Sequence, residues 1–203
     1  MTVANAIEPM YLPDVERDPQ PSPYADLIHA AKANGQEYWQ IWHLLAFRPA
    51  MTIHLGRFTH AVMYEPGPIP PSLREFIATY TSSLNQCQFC TRSHAAVTTH
   101  LFNDSAIVQS VIDDLETAPI SESEKALLWF VRKVTLESCK VVREDMEPLY
   151  AHGWDDAAIY YAVTVSALFN FYNRWINATG VHPVSAENHA LHAAKIATRG
   201  YVR

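Results

Sequence analysis

The feature that most constrains the fold is a series of apolar runs at helical spacing, separated by capping residues, glycines and prolines. Apolar side chains that recur every three or four residues lie on one face of a helix. Ser121 and Glu124 match a capping box, Gly35 and Gly180 follow predicted helix ends, and the proline-rich segment 66–71 predicts a loop. No strand alternation or hairpin dipeptide is evident, so the sequence predicts an all-α fold.

The predicted helices occupy most of the chain after its first residues. Their approximate ranges are 23–34, 37–47, 49–64, 72–84, 87–100, 104–116, 122–137, 144–152, 155–177 and 186–198. Residues 1–22 contain several prolines and no apolar period, and we interpret them as an extended arm, wrapped on the body or on a neighbouring subunit. Residues 23–203 are long enough to bury a core and are predicted to form a single helical domain.

Composition limits the possible partners. Apolar residues make up 49% of the 203 residues and charged residues 18%, as in compact soluble proteins. The net charge of −6 and the lack of a basic run argue against nucleic acid. The longest uncharged stretch, residues 157–173, falls short of a bilayer span, and the first twenty residues lack the apolar segment of a secretory signal. We therefore expect a cytoplasmic protein that binds neither nucleic acid nor membrane.

Four residues form the candidate site. Cys87 and Cys90 are three positions apart, His94 follows four positions later, and Glu75 precedes the pair by twelve. On one helix the two cysteines and the histidine share a face, and thiols at this spacing are close enough to form a disulfide. The helix start after residues 85–86 favours thiolates, and the imidazole can exchange their protons. Glu75 is expected to contact His94 if its helix packs antiparallel to the next.

Each of these residues also has a simpler interpretation. Ser72 and Glu75 match a capping box, and taken alone this role is favoured for Glu75. His94 alone is more typical of an ordinary helix histidine, and the cysteine pair is half of a zinc site without a second half. His189 and His192 are interpreted as surface or subunit contacts. The combination of Glu75, the thiol pair and His94 is much more specific than its parts.

The sequence around these residues resembles a known family. The runs PSLREFIA (71–78) and SSLNQCQFCTRSH (82–94) resemble the alkylhydroperoxidase D family, a branch of the carboxymuconolactone decarboxylase superfamily, and especially its peroxidase-related members. The family pattern is a glutamate, a twelve-residue step to CxxC, and a histidine four residues after the second cysteine. Residues 123–131 and 167–174 also match family helices, so the resemblance covers about residues 40–180.

The resemblance implies a fold, an activity and roles for the four residues. It implies a multi-helix orthogonal bundle that forms a homo-oligomer and reduces hydroperoxides with a dithiol. By position, Cys90 attacks the peroxide, Cys87 resolves the intermediate and meets an external dithiol reductant such as a lipoyl-bearing protein, and His94 with Glu75 relays protons. This chemistry needs no metal or organic cofactor. Phe89 departs from the pattern, since some family peroxidases carry a histidine there.

Three functions remain open from the sequence. The leading hypothesis is an antioxidant oxidoreductase that uses the Cys87–Cys90 couple. The second is a lyase or isomerase of the carboxymuconolactone decarboxylase type, in which Glu75 and His94 act on a small carboxylate. The third is a non-catalytic oligomer that senses redox state through the disulfide. The aromatic residues at helical spacing are expected in the core or in an oligomer contact, and some of them are also candidates for lining a pocket for an organic peroxide.

Overall fold

The computed structural model describes residues 8–201, and within them every regular element is a helix, which confirms the all-α prediction. The helices are α1 (Pro13–Arg17), α2 (Pro23–Ala33), α3 (Ile41–Phe47), α4 (Pro49–Tyr64), α5 (Pro71–Leu84), α6 (Gln88–Phe102), α7 (Ser105–Asp113), α8 (Glu122–Glu137), α9 (Glu147–Ala151), α10 (Asp156–Thr179) and α11 (Ala186–Arg199). Two short 3₁₀ turns, Ser138–Lys140 and Arg143–Met146, lie between α8 and α9. No helix within the described residues is long and apolar enough to span a membrane.

The N-terminal arm lies partly outside the described residues, which exclude 1–7. Its described part contains the short helix α1, which the proline content did not predict. This part packs on the body: Met10 is buried, the Tyr11 amide donates to the Thr179 carbonyl (3.1 Å), and the Gln20 amide donates to the Ala46 carbonyl (2.9 Å). The arm is thus attached to the domain by backbone hydrogen bonds as well as apolar contact.

Two predicted helix boundaries were wrong. The helix expected from residue 37 begins at Ile41, because Glu37 is used elsewhere: its carboxylate accepts from the Ser185 amide (2.8 Å) at the start of α11. The helix expected over residues 144–152 is divided into a 3₁₀ turn and α9, which has Pro148 in its first turn. Proline is tolerated in that turn but not further inside a helix.

Helix α5 is the centre of the molecule. All ten residues from Leu73 to Ser82 are buried, and α5 packs against α6, α8 and α10. A helix that is buried on every side must satisfy its polar groups internally. Its hydroxyls do so: Thr79 donates to the Glu75 carbonyl (2.9 Å), and its Oγ1 lies 3.1 Å from that of Thr98 on α6. The helix is therefore a rigid base for any residue it presents.

Arg74, next to the candidate glutamate, is only 1% exposed and binds backbone rather than a carboxylate. Its guanidinium donates to the carbonyls of Ile69 (2.8 Å), Val62 (3.1 Å) and Glu65 (2.7 Å). Its Nη2 and the Tyr161 ring leave no space for a Cβ at Gly67, so glycine is required there. Arg74 thus ties the proline-rich loop to α4 and α5.

Replacing Arg74 with methionine is expected to lower the free energy of unfolding by about 3 kcal/mol. The change keeps apolar volume but leaves several carbonyls without a buried donor. Urea unfolding followed by circular dichroism measures the loss. Arg57→Met, at an exposed position on α4, is the matched control and is expected to change stability by less than about 0.5 kcal/mol. Equal effects of the two substitutions would contradict the prediction.

The turn between α5 and α6 has a defined geometry that places the cysteines. Gln86 adopts the left-handed conformation (φ 55°). The Gln86 amide donates to the Ser83 carbonyl and the Cys87 amide to the Ser82 carbonyl, both at 3.0 Å, which is the Schellman pattern of a helix end. Cys87 is therefore the N-cap of α6 and Cys90 lies in its first turn.

Candidate active site

The two thiols are adjacent, as their spacing predicts. The Sγ atoms of Cys87 and Cys90 are 3.0 Å apart, and both cysteines are free. The side chains are deeply buried, with exposed fractions of 0% for Cys87 and 2% for Cys90. A disulfide can therefore form by shortening one sulfur–sulfur contact, without a rearrangement of the helix.

The two thiols have opposite pKa shifts. The Cys90 thiol, the Cys90 backbone N–H and the Asn173 amide together hold the pKa of Cys87 below its ordinary value, although burial opposes them. Burial and the neighbouring Cys87 raise the pKa of Cys90 well above its ordinary value. Of the two thiols, Cys87 is therefore the one that loses its proton more readily.

Asn173 on α10 supports the thiol pair from the opposite side. It is fully buried, its Nδ2 donates to the Ser82 hydroxyl (3.0 Å), and its Oδ1 accepts from Asn85 (2.9 Å) at the end of α5. Its amide also lowers the pKa of both thiols. Asn173 thus joins α10 to the end of α5, and its contact with the sulfurs was not predicted from the sequence. An asparagine within an apolar helix was the only signal in the sequence.

Glu75 and His94 form the predicted contact between α5 and α6. Oε2 of Glu75 is 2.7 Å from Nδ1 of His94, and both residues are buried. The capping box suggested by Ser72 and Glu75 was wrong: α5 begins at Pro71 without a side-chain cap, because the carboxylate points toward the imidazole. Since Nδ1 faces the carboxylate, Nε2 is the ring nitrogen left for proton exchange.

Two phenols complete the surroundings of Glu75. Tyr64 on α4 and Tyr201 after α11 both donate to Oε1 of Glu75, at 3.0 and 2.9 Å. The Tyr201 hydroxyl is also 3.3 Å from Nδ1 of His94. Burial raises the pKa of both tyrosines, so each remains a proton donor. The sequence analysis missed Tyr64 and Tyr201, since no spacing rule relates them to Glu75.

An apolar cavity of about 80 Å³ adjoins the site. Cys90 and His94 both line it, whereas Cys87 does not. The other lining residues are aromatic or aliphatic, or small and polar: Tyr24, Trp39, Ile41, Trp42, Leu45, Gly56, Thr59, Phe89, Ser93, Val97, Phe169, Tyr172, Ile176, Ile196 and Tyr201. Among residues 8–201, no lysine or arginine lines the cavity. Of the two cysteines, Cys90 is the one in contact with it.

Several sequence interpretations concern this cavity. Phe89, which stands where some family members carry a histidine, packs edge-on against Trp39 with ring centroids 5.4 Å apart. His189 and His192 were wrongly assigned to the surface: both are buried, and Nδ1 of His189 is 3.2 Å from the Ser93 hydroxyl. Burial lowers the pKa of His189 to about 4, so it is neutral. Trp39 and Phe169 are confirmed as core residues that also line a pocket.

The described part of the chain contains no cluster of possible metal ligands. Within residues 8–201, no three histidine, cysteine or acidic side chains are close enough to share an ion. The two thiols, the imidazole and the carboxylate are therefore the groups available for chemistry. Together they define a helical protein with a buried dithiol beside a glutamate–histidine pair.

Comparisons with known proteins agree with this description. Residues 49–104 match the carboxymuconolactone decarboxylase family, and this segment contains all four candidate residues. Curated protein sequences give no significant match. The chain resembles the alkylhydroperoxidase AhpD core of a peroxidase-related protein from Ralstonia eutropha JMP134, with 25% identity, a TM-score of 0.73, and coverage of 85% of this chain and 90% of that one.

A second peroxidase-related protein, from Silicibacter sp. TM1040, is 26% identical with a TM-score of 0.77, covering 90% of this chain and 95% of that one. The debrominase Bmp8, in complex with 2,3,4-tribromopyrrole, shares the fold at 20% identity, with a TM-score of 0.64 over 75% of this chain and 80% of that one. The family match over residues 49–104 and the two peroxidase-related structures make the chain similar to AhpD-like members of the carboxymuconolactone decarboxylase superfamily. The resemblance seen in the sequence is thereby confirmed.

Proposed function

We propose that the protein is a thiol peroxidase that reduces hydroperoxides with Cys87 and Cys90. The observation that carries the proposal is that Cys90 lines a small neutral cavity together with His94, while the second sulfur lies 3.0 Å behind it. The likeness to peroxidase-related proteins supports the same function. One sulfur thus meets the substrate, and the other is in place to close the disulfide.

The reaction proceeds in two displacements. The proton of Cys90 moves to Nε2 of His94, and the Cys90 thiolate attacks the terminal oxygen of the hydroperoxide. The O–O bond breaks, the alcohol leaves with the proton from His94, and Cys90 becomes a sulfenic acid. Cys87 then attacks the Cys90 sulfur, the S–O bond breaks, and the hydroxide leaves as water with the proton that Cys87 releases. The products are an alcohol, a water molecule and a disulfide.

The carboxylate and the phenols assist the proton transfers. The Glu75 carboxylate holds Nδ1–H of His94, which directs the basic Nε2 away from the carboxylate, and it stabilises the imidazolium after proton uptake. Tyr64 and Tyr201 keep Glu75 in position through its other oxygen. We place His94 in the catalytic role and Glu75 and the two tyrosines in positioning roles.

The lowered pKa of Cys87 fits its proposed role as the resolving thiolate. The rise in the pKa of Cys90 reflects its burial and the neighbouring Cys87. Access to the cavity decides which sulfur reacts first, because a peroxide must be in contact with the sulfur it oxidises. We therefore retain Cys90 as the attacking residue. We further propose that an external dithiol reduces the disulfide. The protein is also proposed to form a homo-oligomer and to be cytoplasmic.

The lyase alternative is less well supported by the cavity. A small carboxylate would have to lose its hydration there, and no lysine or arginine within the described part of the chain lines the walls to compensate. A neutral hydroperoxide has no such cost. The redox-sensing alternative predicts a disulfide without catalytic turnover, which the following measurement distinguishes.

Mixing the reduced protein with limiting hydroperoxide is expected to consume one peroxide for each disulfide formed. Stopped-flow tryptophan fluorescence follows the oxidation, since Trp39 lines the same cavity as Cys90. Thiol titration before and after the reaction gives the stoichiometry, and addition of a dithiol restores the starting state for repeated turnover. Protein alkylated at both cysteines is the control. If the alkylated protein still consumed peroxide, the proposal would be contradicted.

A further inference from the structure

The cavity beside Cys90 is both deep and small. Most of its walls are more than nine-tenths buried, including Val97 (0% exposed), Ile196 (1%) and Phe169 (2%). Its volume of about 80 Å³ compares with about 150 Å³ for an engineered protein cavity that holds benzene. The space thus accommodates roughly three or four non-hydrogen atoms. A bulkier molecule must either displace close-packed side chains, which costs free energy, or extend past Tyr24 and Tyr201 into the neighbouring pocket, which Cys90 does not line.

We propose that this cavity restricts the substrates to hydrogen peroxide and short-chain alkyl hydroperoxides such as ethyl hydroperoxide. The inference rests on the proposed peroxidase function and goes further by naming the substrate class. The terminal oxygen of the peroxide must reach the Cys90 sulfur, so the rest of the molecule has to occupy the remaining apolar space. Ethyl fits this space, whereas tert-butyl and cumyl groups do not.

Ile196 on α11 is one of the aliphatic wall residues of the cavity. It lies in the C-terminal helix, outside residues 49–104 that match the family, and we choose it to test the size limit. The hydroxyls in the cavity add no charge: Tyr172 hydrogen bonds with Thr59 (2.7 Å), and burial raises the pKa of Tyr172 so that it stays protonated. Shape rather than charge therefore separates one hydroperoxide from another.

The test compares ethyl, tert-butyl and cumene hydroperoxides by stopped-flow oxidation of the reduced protein. The second-order rate constant is expected to fall at least about tenfold from ethyl to tert-butyl and by a similar factor again to cumene hydroperoxide, as for a substrate group that overfills its pocket. Ile196→Ala is expected to raise the ratio of the cumene rate to the ethyl rate by at least about tenfold.

Leu149→Ala is the matched control. Leu149 on α9 is as deeply buried as Ile196, at 1% exposed, but does not line the cavity, so its substitution is expected to leave the ratio unchanged. Ile196→Val enlarges the space with little risk to folding and is expected to shift the ratio in the same direction by a smaller factor. Thermal melting of each variant confirms that it is folded.

The outcomes separate the two proposals. If no hydroperoxide oxidises the wild-type thiols, the peroxidase function itself is wrong. If all three react at similar rates, or if the Ile196 variants leave the ratio unchanged, the size limit is wrong and the peroxidase function stands. The inference is supported if the wild-type rate constants fall from ethyl to tert-butyl to cumene hydroperoxide and the Ile196 variants raise the ratio of the cumene rate to the ethyl rate.

Discussion

Cys90→Ser is expected to abolish the oxidation of the protein by peroxide, with the rate constant falling at least about a thousandfold, as when a nucleophile is removed. Serine preserves the volume of the side chain, but its hydroxyl does not attack an O–O bond at neutral pH. Cys90 lines the cavity with His94, and Cys87 does not, so the second sulfur has no direct route to the substrate. Stopped-flow fluorescence measures the loss.

Cys87→Ser is expected to give a different defect. The first displacement still takes place, but the sulfenic acid on Cys90 has no resolving thiol, so it accumulates and is trapped by dimedone and detected by mass spectrometry. Cys139→Ser, at an exposed and distant position, is the control and is expected to behave like the wild type. The assignment would be reversed if Cys87→Ser eliminated the first step and Cys90→Ser retained it.

Glu75→Gln is expected to lower the oxidation rate by about two to four orders of magnitude, the range typical of a lost general base. Glutamine has nearly the same shape, but because the Oε1 position accepts from Tyr64 and Tyr201, its NH₂ takes the place of Oε2 and faces Nδ1 of His94. The imidazole then favours the tautomer with a proton on Nε2, which cannot accept one from Cys90.

A double-mutant cycle distinguishes this role from a structural one. If Glu75 acts through His94, His94→Gln is expected to slow the reaction to a similar extent, and the double variant to be little slower than either single one. Glu122→Gln, at an exposed position on α8, is the control and is expected to leave the rate unchanged. A normal rate in Glu75→Gln combined with a lower melting temperature would show that the glutamate only stabilises the fold.

The helical fold was largely predictable because its signals are local. The capping box of Ser121 and Glu124 is present, Asp104 caps α7, and Gly180 ends α10 in the left-handed conformation, as expected. Each of these signals depends on hydrogen bonds within a few residues of backbone. The helix end that it predicts is therefore little affected by the rest of the chain. Predictions weakened where a distant contact competed, as at Glu37, whose carboxylate binds the start of α11.

The same distinction between local signals and distant contacts applies to the candidate site. The adjacency of Cys87 and Cys90 follows from their spacing at a helix start, and the contact of Glu75 with His94 follows from two consecutive helices joined by a short turn. The wrong prediction concerned Ser72 and Glu75. Their spacing is that of a capping box, and it is the same whether the glutamate caps its own helix or contacts a histidine on the next one. Only the packing of α5 against its neighbours decided between them.

The sequence by itself determined the helices, the dithiol and its histidine, because these depend on hydrogen bonds and side-chain spacing within one or two turns. Tertiary structure alone brought Tyr64 and Tyr201 to the same oxygen of Glu75 and placed Asn173 against the sulfurs. It also decided the size of the cavity and exposed Cys90 rather than Cys87 to it. Such features depend on how whole helices pack against one another. That packing is decided by contacts among many side chains that are far apart in the sequence, so no short segment predicts it.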